Sequence, residues 1–154
     1  MAQSQASRID ISVADRSVRV SKDLLAELIR FVARKEKYRL GRIDLAIVPR
    51  REIASLNRRY LSHSGPTDVL SFDLSDAATP GLSGQLVVCA EVAKEQARFH
   101  GLKPAEELLI YVIHGMLHLM GYDDQAIRPA AVMHARQDEL LSAFGRRKGK
   151  RHKA

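Results

Sequence analysis

His114-Gly-Met-Leu-His118-Leu-Met-Gly121-Tyr-Asp123-Asp124 sets two histidines four residues apart and follows them with a glycine and two acids. On a helix, positions i and i+4 differ by about 40° around the axis, so both imidazoles point to one side and can share one ion. Gly121 ends the helix, because glycine adopts the left-handed conformation that reverses the chain. The next side chains can then swing back toward the histidines, and Asp124 is placed to be the third ligand. Working outward, Leu108 to Ile113 and the residues between and after the histidines are apolar nearly all round, as in a central buried helix. Such a helix can also carry histidines that are simply hydrogen-bonded, and Asp123 and Asp124 also suit an ordinary turn or a helix cap.

The spacing is that of the H-x-x-x-H-x-x-G-x-x-H signature of metzincin proteases, with two changes. Position 115 is glycine where those enzymes carry the glutamate that serves as general base, which argues against peptidase chemistry. The third ligand position holds an acid. Two neutral imidazoles and one carboxylate leave a divalent ion with a formal charge near +1 rather than +2, so it acidifies water less.

A chain of 154 residues forms one domain with a core of its own. The single Cys89, within an apolar run, excludes an internal disulfide and fits a reducing compartment. The polar start and the absence of a long apolar stretch point to a cytoplasmic protein with no membrane association. The net charge is +7, of which six lysines and arginines lie after Gly145, leaving +1 for the body. Residues 146–154 are therefore expected to form a disordered basic tail, suited to solubility or to the phosphate backbone of a nucleic acid.

Alternation predicts strands at Arg8–Val13, Ile43–Val48, Thr67–Phe72 and Gln85–Cys89, the last two as possible antiparallel neighbours. Helices are expected after the cap Ser21, from Pro49 to Tyr60, from Ala90 to His100, from Pro104 through the histidines, and from Ala130 to Phe144. About four strands and five helices without a repeat read as a compact α/β or α+β domain.

Leu56-Asn57, Tyr60, Pro66-Thr-Asp-Val-Leu-Ser-Phe72, Gly84 to Cys89 and His114 to Asp123 together resemble the YbeY family of bacterial endoribonucleases and ribosome-maturation factors. The match spans roughly residues 40 to 144, with the two long motifs in the family's order. The resemblance implies an α+β fold: a mixed four-stranded sheet, with surrounding helices, around the central motif helix, in a single domain of residues 1–145. It implies a metal-dependent endoribonuclease specific for single-stranded RNA, acting on the 3′ end of small-subunit (16S) ribosomal RNA and in ribosome quality control. The partners implied are ribosomal RNA and the small subunit, with a ribosomal protein or GTPase as a further possibility. The cofactor implied is one divalent metal, usually taken to be zinc, held here by His114, His118 and Asp124.

This chain departs from the family pattern where Asp124 replaces a histidine, Leu61 replaces an arginine associated with catalysis or RNA binding, and Ser64 and Gln85 replace acids. Arg58 and Arg59 precede Tyr60 and are the candidates to bind RNA in place of that arginine, with Arg59 the candidate catalytic residue. A solvated arginine face accounts equally well for the pair. Asp123 is a candidate to orient a histidine N–H or to cap a turn. His63 has no partner at ligand spacing, and His100, His134 and His152 read as surface or capping residues. A different class stays open: a non-catalytic, ribosome-associated RNA-binding factor with a structural metal.

Overall fold

The computed structural model describes residues 7–61, 67–78 and 80–152, with residues 61 and 148–152 as backbone alone. Four strands, β1 (Arg8–Val13), β2 (Leu40–Val48), β3 (Val69–Asp73) and β4 (Leu82–Cys89), form one sheet in the order β1-β2-β4-β3. The first two pairings are parallel, and β3 runs antiparallel to β4. Five helices complete the fold: α1 (Lys22–Lys35), α2 (Arg50–Leu61), α3 (Ala90–His100), α4 (Pro104–Leu119) and α5 (Ile127–His152). The mixed four-stranded α+β architecture is the one expected.

Period-two alternation divides the apolar side chains between two cores. Ile43, Leu45 and Ile47 of β2 and Leu86 and Val88 of β4 share one core with Leu25, Leu28, Ile29 and Val32 of α1 and with the buried residues of α4. Leu70, Val87 and Cys89 point the other way, onto Ile53 of α2. Helix α1 begins where expected, with the Ser21 Oγ accepting from the Leu24 N–H at 3.2 Å. Helix α4 has Pro104 in its first turn and a Glu106 carboxylate that accepts from the Lys103 N–H at 3.1 Å.

Some boundaries differ from expectation. Strand β2 starts at Leu40 through a register irregularity between Leu40 and Ile43, a local bulge that alternation does not reveal. Strand β4 starts at Leu82, three residues before the expected Gln85. Helix α5 starts at Ile127, with Pro129 in its first turn, and continues to His152. Residues 146–152, expected as disordered tail, are therefore helical, since arginine and lysine are good helix formers and no proline interrupts them. Residues 153–154 lie outside the described residues, as does His63. No helix among the described residues is long and apolar enough to cross a membrane.

Cys89 is fully buried, and burial pushes its thiol above the ordinary value. A thiol reagent such as Ellman's is therefore expected to leave Cys89 unmodified in the native protein over minutes and to titrate one thiol in denaturant. Rapid native reaction would show that the β4–α2 core opens.

Candidate metal centre

Helix α4 is positioned by a close approach to the sheet. A Cβ added to Gly115 would lie 2.9 Å from Leu86 Cδ2 and 3.1 Å from both Ser71 Oγ and Val69 Cγ2. Glycine lets the helix pack this near without displacing those side chains, and the Ser71 hydroxyl donates to the Gly115 carbonyl at 3.0 Å. The glutamate of the peptidase motif is absent for a packing reason, because position 115 faces β3 and β4.

The end of α4 is a Schellman turn. The Gly121 N–H donates to the His118 carbonyl and the Tyr122 N–H to the Leu117 carbonyl, each at 3.0 Å, with Gly121 at φ 96°. The turn then brings Asp124 back over the histidines. Its Oδ2 lies 3.4 Å from His114 Nε2 and 3.4 Å from His118 Nε2, and the two Nε2 atoms are 3.1 Å apart. His114, His118 and Asp124 are thus brought together as the sequence implies.

Two tyrosines fasten this turn to α1. The Tyr38 hydroxyl donates to the Met120 carbonyl at 3.1 Å, and the Tyr122 hydroxyl donates to Glu36 at 2.8 Å. Arg136 of α5 donates to the same Glu36 carboxylate and to Glu139. Tyr122→Phe is expected to cost about 1.5–3 kcal/mol, roughly 3–12 °C in Tm, by removing one hydrogen bond to a charged group. Thermal melts of the two proteins without added metal check this, and equal Tm values would mean that the contact holds nothing.

The donor set fits a divalent cation. Ligand atoms around a tetrahedral ion with bonds of about 2.0–2.1 Å stand about 3.3 Å apart, close to the separations seen here. The side chains of His114, His118 and Asp124 are 16%, 30% and 37% exposed, so the cluster is buried on the helix side and open toward the turn. His114 Nδ1 lies 3.0 Å from Gln137 Oε1, and with the amide oxygen facing it Nδ1 is the protonated nitrogen and Nε2 carries the lone pair. Three atoms with lone pairs converge here, and a divalent ion would satisfy them together.

Gln137, on α5, was not among the residues singled out in the sequence. Asp123 does not orient a histidine: its carboxylate accepts from the Gln125 N–H at 3.0 Å and shapes the turn. His134 lies on the exposed side of α5, yet its ring centroid is 6.2 Å from that of His114, which places it at the border of the cluster. His100 is bound to the buried Glu107 carboxylate at 3.0 Å and joins α3 to α4. Arg58 and Arg59 sit exposed on the last turn of α2, neither hydrogen-bonded nor ion-paired with the three clustered residues. The Arg59 guanidinium lies 5.9 Å over the Tyr60 ring, which meets Phe72 edge to face at 5.7 Å.

A family model described as Endoribonuclease YbeY matches residues 3–145. Endoribonuclease YbeY of Acidothermus cellulolyticus is 35% identical over 148 residues, covering 87% of this chain and 90% of the relative. The protein of the same description from Halalkalibacterium halodurans is 36% identical over 135 residues, covering 79% and 85%. A Thermotoga maritima protein of known solution structure aligns with a TM-score of 0.61 at 27% identity, over 92% of this chain and 93% of that one. A His-His-Asp cluster at the end of α4 is thus carried by a chain that belongs to the YbeY endoribonuclease family.

Proposed function

We propose that this protein is a metal-dependent endoribonuclease that cuts single-stranded RNA in the maturation of ribosomal RNA, at the 3′ end of the small-subunit RNA, and in ribosome quality control. The observation that carries this reading is the convergence of three ligand atoms within 3.4 Å of one another in a chain of this family. His114, His118 and Asp124 would hold one divalent ion, zinc on the family's pattern, although two histidines and a carboxylate serve iron or manganese as well. Such an ion supplies Lewis-acid stabilisation of charge at the scissile phosphate.

The chain's own residues do the rest. Arg58 and Arg59 are proposed to hold phosphates, and Arg59 to act as the catalytic cation, with the neighbouring Tyr60 ring available to stack on a base. The basic run after Gly145 adds salt-sensitive affinity for the RNA backbone. The site of action is proposed to be the cytoplasm, on the small ribosomal subunit, with a ribosomal protein or GTPase as a possible partner.

Two cleavage routes are chemically available. Attack by the RNA's own 2′-hydroxyl leaves a 2′,3′-cyclic phosphate, and attack by water leaves a simple phosphate end. The test is to incubate metal-loaded protein with single-stranded and duplex RNA of one sequence and to identify the product ends. Cutting confined to single strands, lost on chelation and restored by zinc, supports the enzyme. Arg59→Ala is then expected to lower cleavage about 10²-fold or more, the scale for removing one group that stabilises transition-state charge. Leu61, in place of the family's arginine, favours the alternative of a non-catalytic RNA-binding factor with a structural metal. That alternative predicts metal and RNA binding without cleavage.

A further inference from the structure

Gln137 makes a contact that the proposed chemistry does not by itself require. It lies on α5, 23 residues beyond His114, and is 7% exposed, so its amide is withdrawn from water. Buried polar groups are retained where they are hydrogen-bonded, and here Oε1 sits 3.0 Å from His114 Nδ1. An imidazole whose Nδ1–H is committed in this way carries its lone pair on Nε2, the nitrogen that faces His118 and Asp124. We propose that Gln137 is a positioning residue of the metal centre, holding His114 in the tautomer that turns Nε2 toward the ion while adding no charge.

The inference rests on the metal reading of His114, His118 and Asp124, and charge explains why the residue is an amide. Asp124 already supplies one negative charge, so a second carboxylate behind His114 would bring a divalent site to net neutrality and dull its pull on a phosphate. Glutamine fixes the ring without that cost. The adjacent Arg136 reaches Glu36, which receives the Tyr122 hydroxyl. Consecutive residues of α5 therefore steady the two halves of the site, His114 directly and the Asp124 turn through Glu36.

The amide orientation gives the proposal an internal check. Reversed, Gln137 would present an N–H to Nδ1 and leave the proton on Nε2, where it would block an ion. Glutamate has no N–H and can only accept, so Gln137→Glu preserves the proposed role, while Gln137→Leu keeps the approximate volume and removes the acceptor. Zinc affinity is to be measured for the three full-length proteins by competition with a chromophoric chelator, together with the Co(II) absorption spectrum and the Tm without metal.

Gln137→Leu is expected to weaken zinc binding 10- to 100-fold, the usual scale for losing such a partner of a ligand histidine. Gln137→Glu is expected to bind zinc at least as tightly as the parent and to keep its Co(II) spectrum. If the parent binds no zinc, the metal reading fails first and this proposal with it. If the parent binds zinc and Gln137→Leu binds it equally, or Gln137→Glu loses it as Gln137→Leu does, the proposal alone is overturned. A fall in Tm shared by both variants without the split in zinc affinity also overturns it, since that is what a purely structural contact predicts.

Discussion

Replacing His114 with alanine is expected to remove both the metal and RNA cleavage. Zinc-binding energies of about 10–16 kcal/mol for four-ligand sites place one ligand at roughly 3 kcal/mol, so affinity should fall on the order of a hundredfold or more. At micromolar protein the variant should then be isolated with little metal. Its apo fold should persist, because the Nδ1–Gln137 hydrogen bond that it loses is worth about 1–3 kcal/mol once the stranded acceptor is included. His118→Ala makes the control, since its side chain is more exposed than that of His114 and leaves Gln137 engaged. Metal content by elemental analysis and cleavage of single-stranded RNA, on the same preparations, check this. Parallel loss of metal and cleavage in both variants ties activity to the cluster. Unchanged cleavage in a metal-free variant would sink the metal-dependent enzyme.

Asp124→His separates binding from charge. The exchange keeps three ligands but returns the formal charge of a bound divalent ion from near +1 to near +2. Stronger Lewis acidity should raise the chemical step if the carboxylate limits it. The opposite outcome, tight metal and slower cleavage, would show that the carboxylate does more than coordinate, for which its 37% side-chain exposure leaves room.

Local periodicity made the cluster of His114, His118 and Asp124 legible. Two histidines at helical spacing, a glycine that stops the helix and an acid three residues later are all set by backbone geometry within eleven residues, so no tertiary knowledge is needed. The strands were legible for the same reason, since Ile43, Leu45 and Ile47 alternate with residues that face away. The partner of His114 was not, because it depends on how α5 crosses α4, and Asp123 was nearer in sequence. Its short side chain is taken up by the Gln125 N–H in its own turn, whereas Gln137 reaches the ring from another helix. Nor could spacing tell that Arg58 and Arg59 lie without ionic contact to the cluster, since that depends on the placement of α2 on the opposite face of the sheet. The helical continuation through residues 146–152 follows from the helix propensity of arginine and lysine, which the density of like charge in that run obscures.

Gly115→Glu is expected to unfold or severely destabilise the protein, and with it the notion that this chain is a peptidase lacking one residue. The first added carbon already meets Leu86, Ser71 and Val69 at 2.9–3.1 Å, and Leu86 is fully buried while Val69 is β-branched and stiff. Overpacking of this kind costs about 1–3 kcal/mol. A carboxylate forced between α4 and the sheet without a partner adds several more, against a total stability of about 5–15 kcal/mol. Gly115→Ala is the graded comparison: helix propensity favours alanine by about 1 kcal/mol, so its net loss should stay below about 2 kcal/mol. Urea denaturation followed by circular dichroism measures both. Should the glutamate variant fold with an unshifted midpoint, α4 cannot lie as close to β3 and β4 as Gly115 requires. Position 115 would then be free to turn toward the cluster, and the packing account of its missing general base would be wrong.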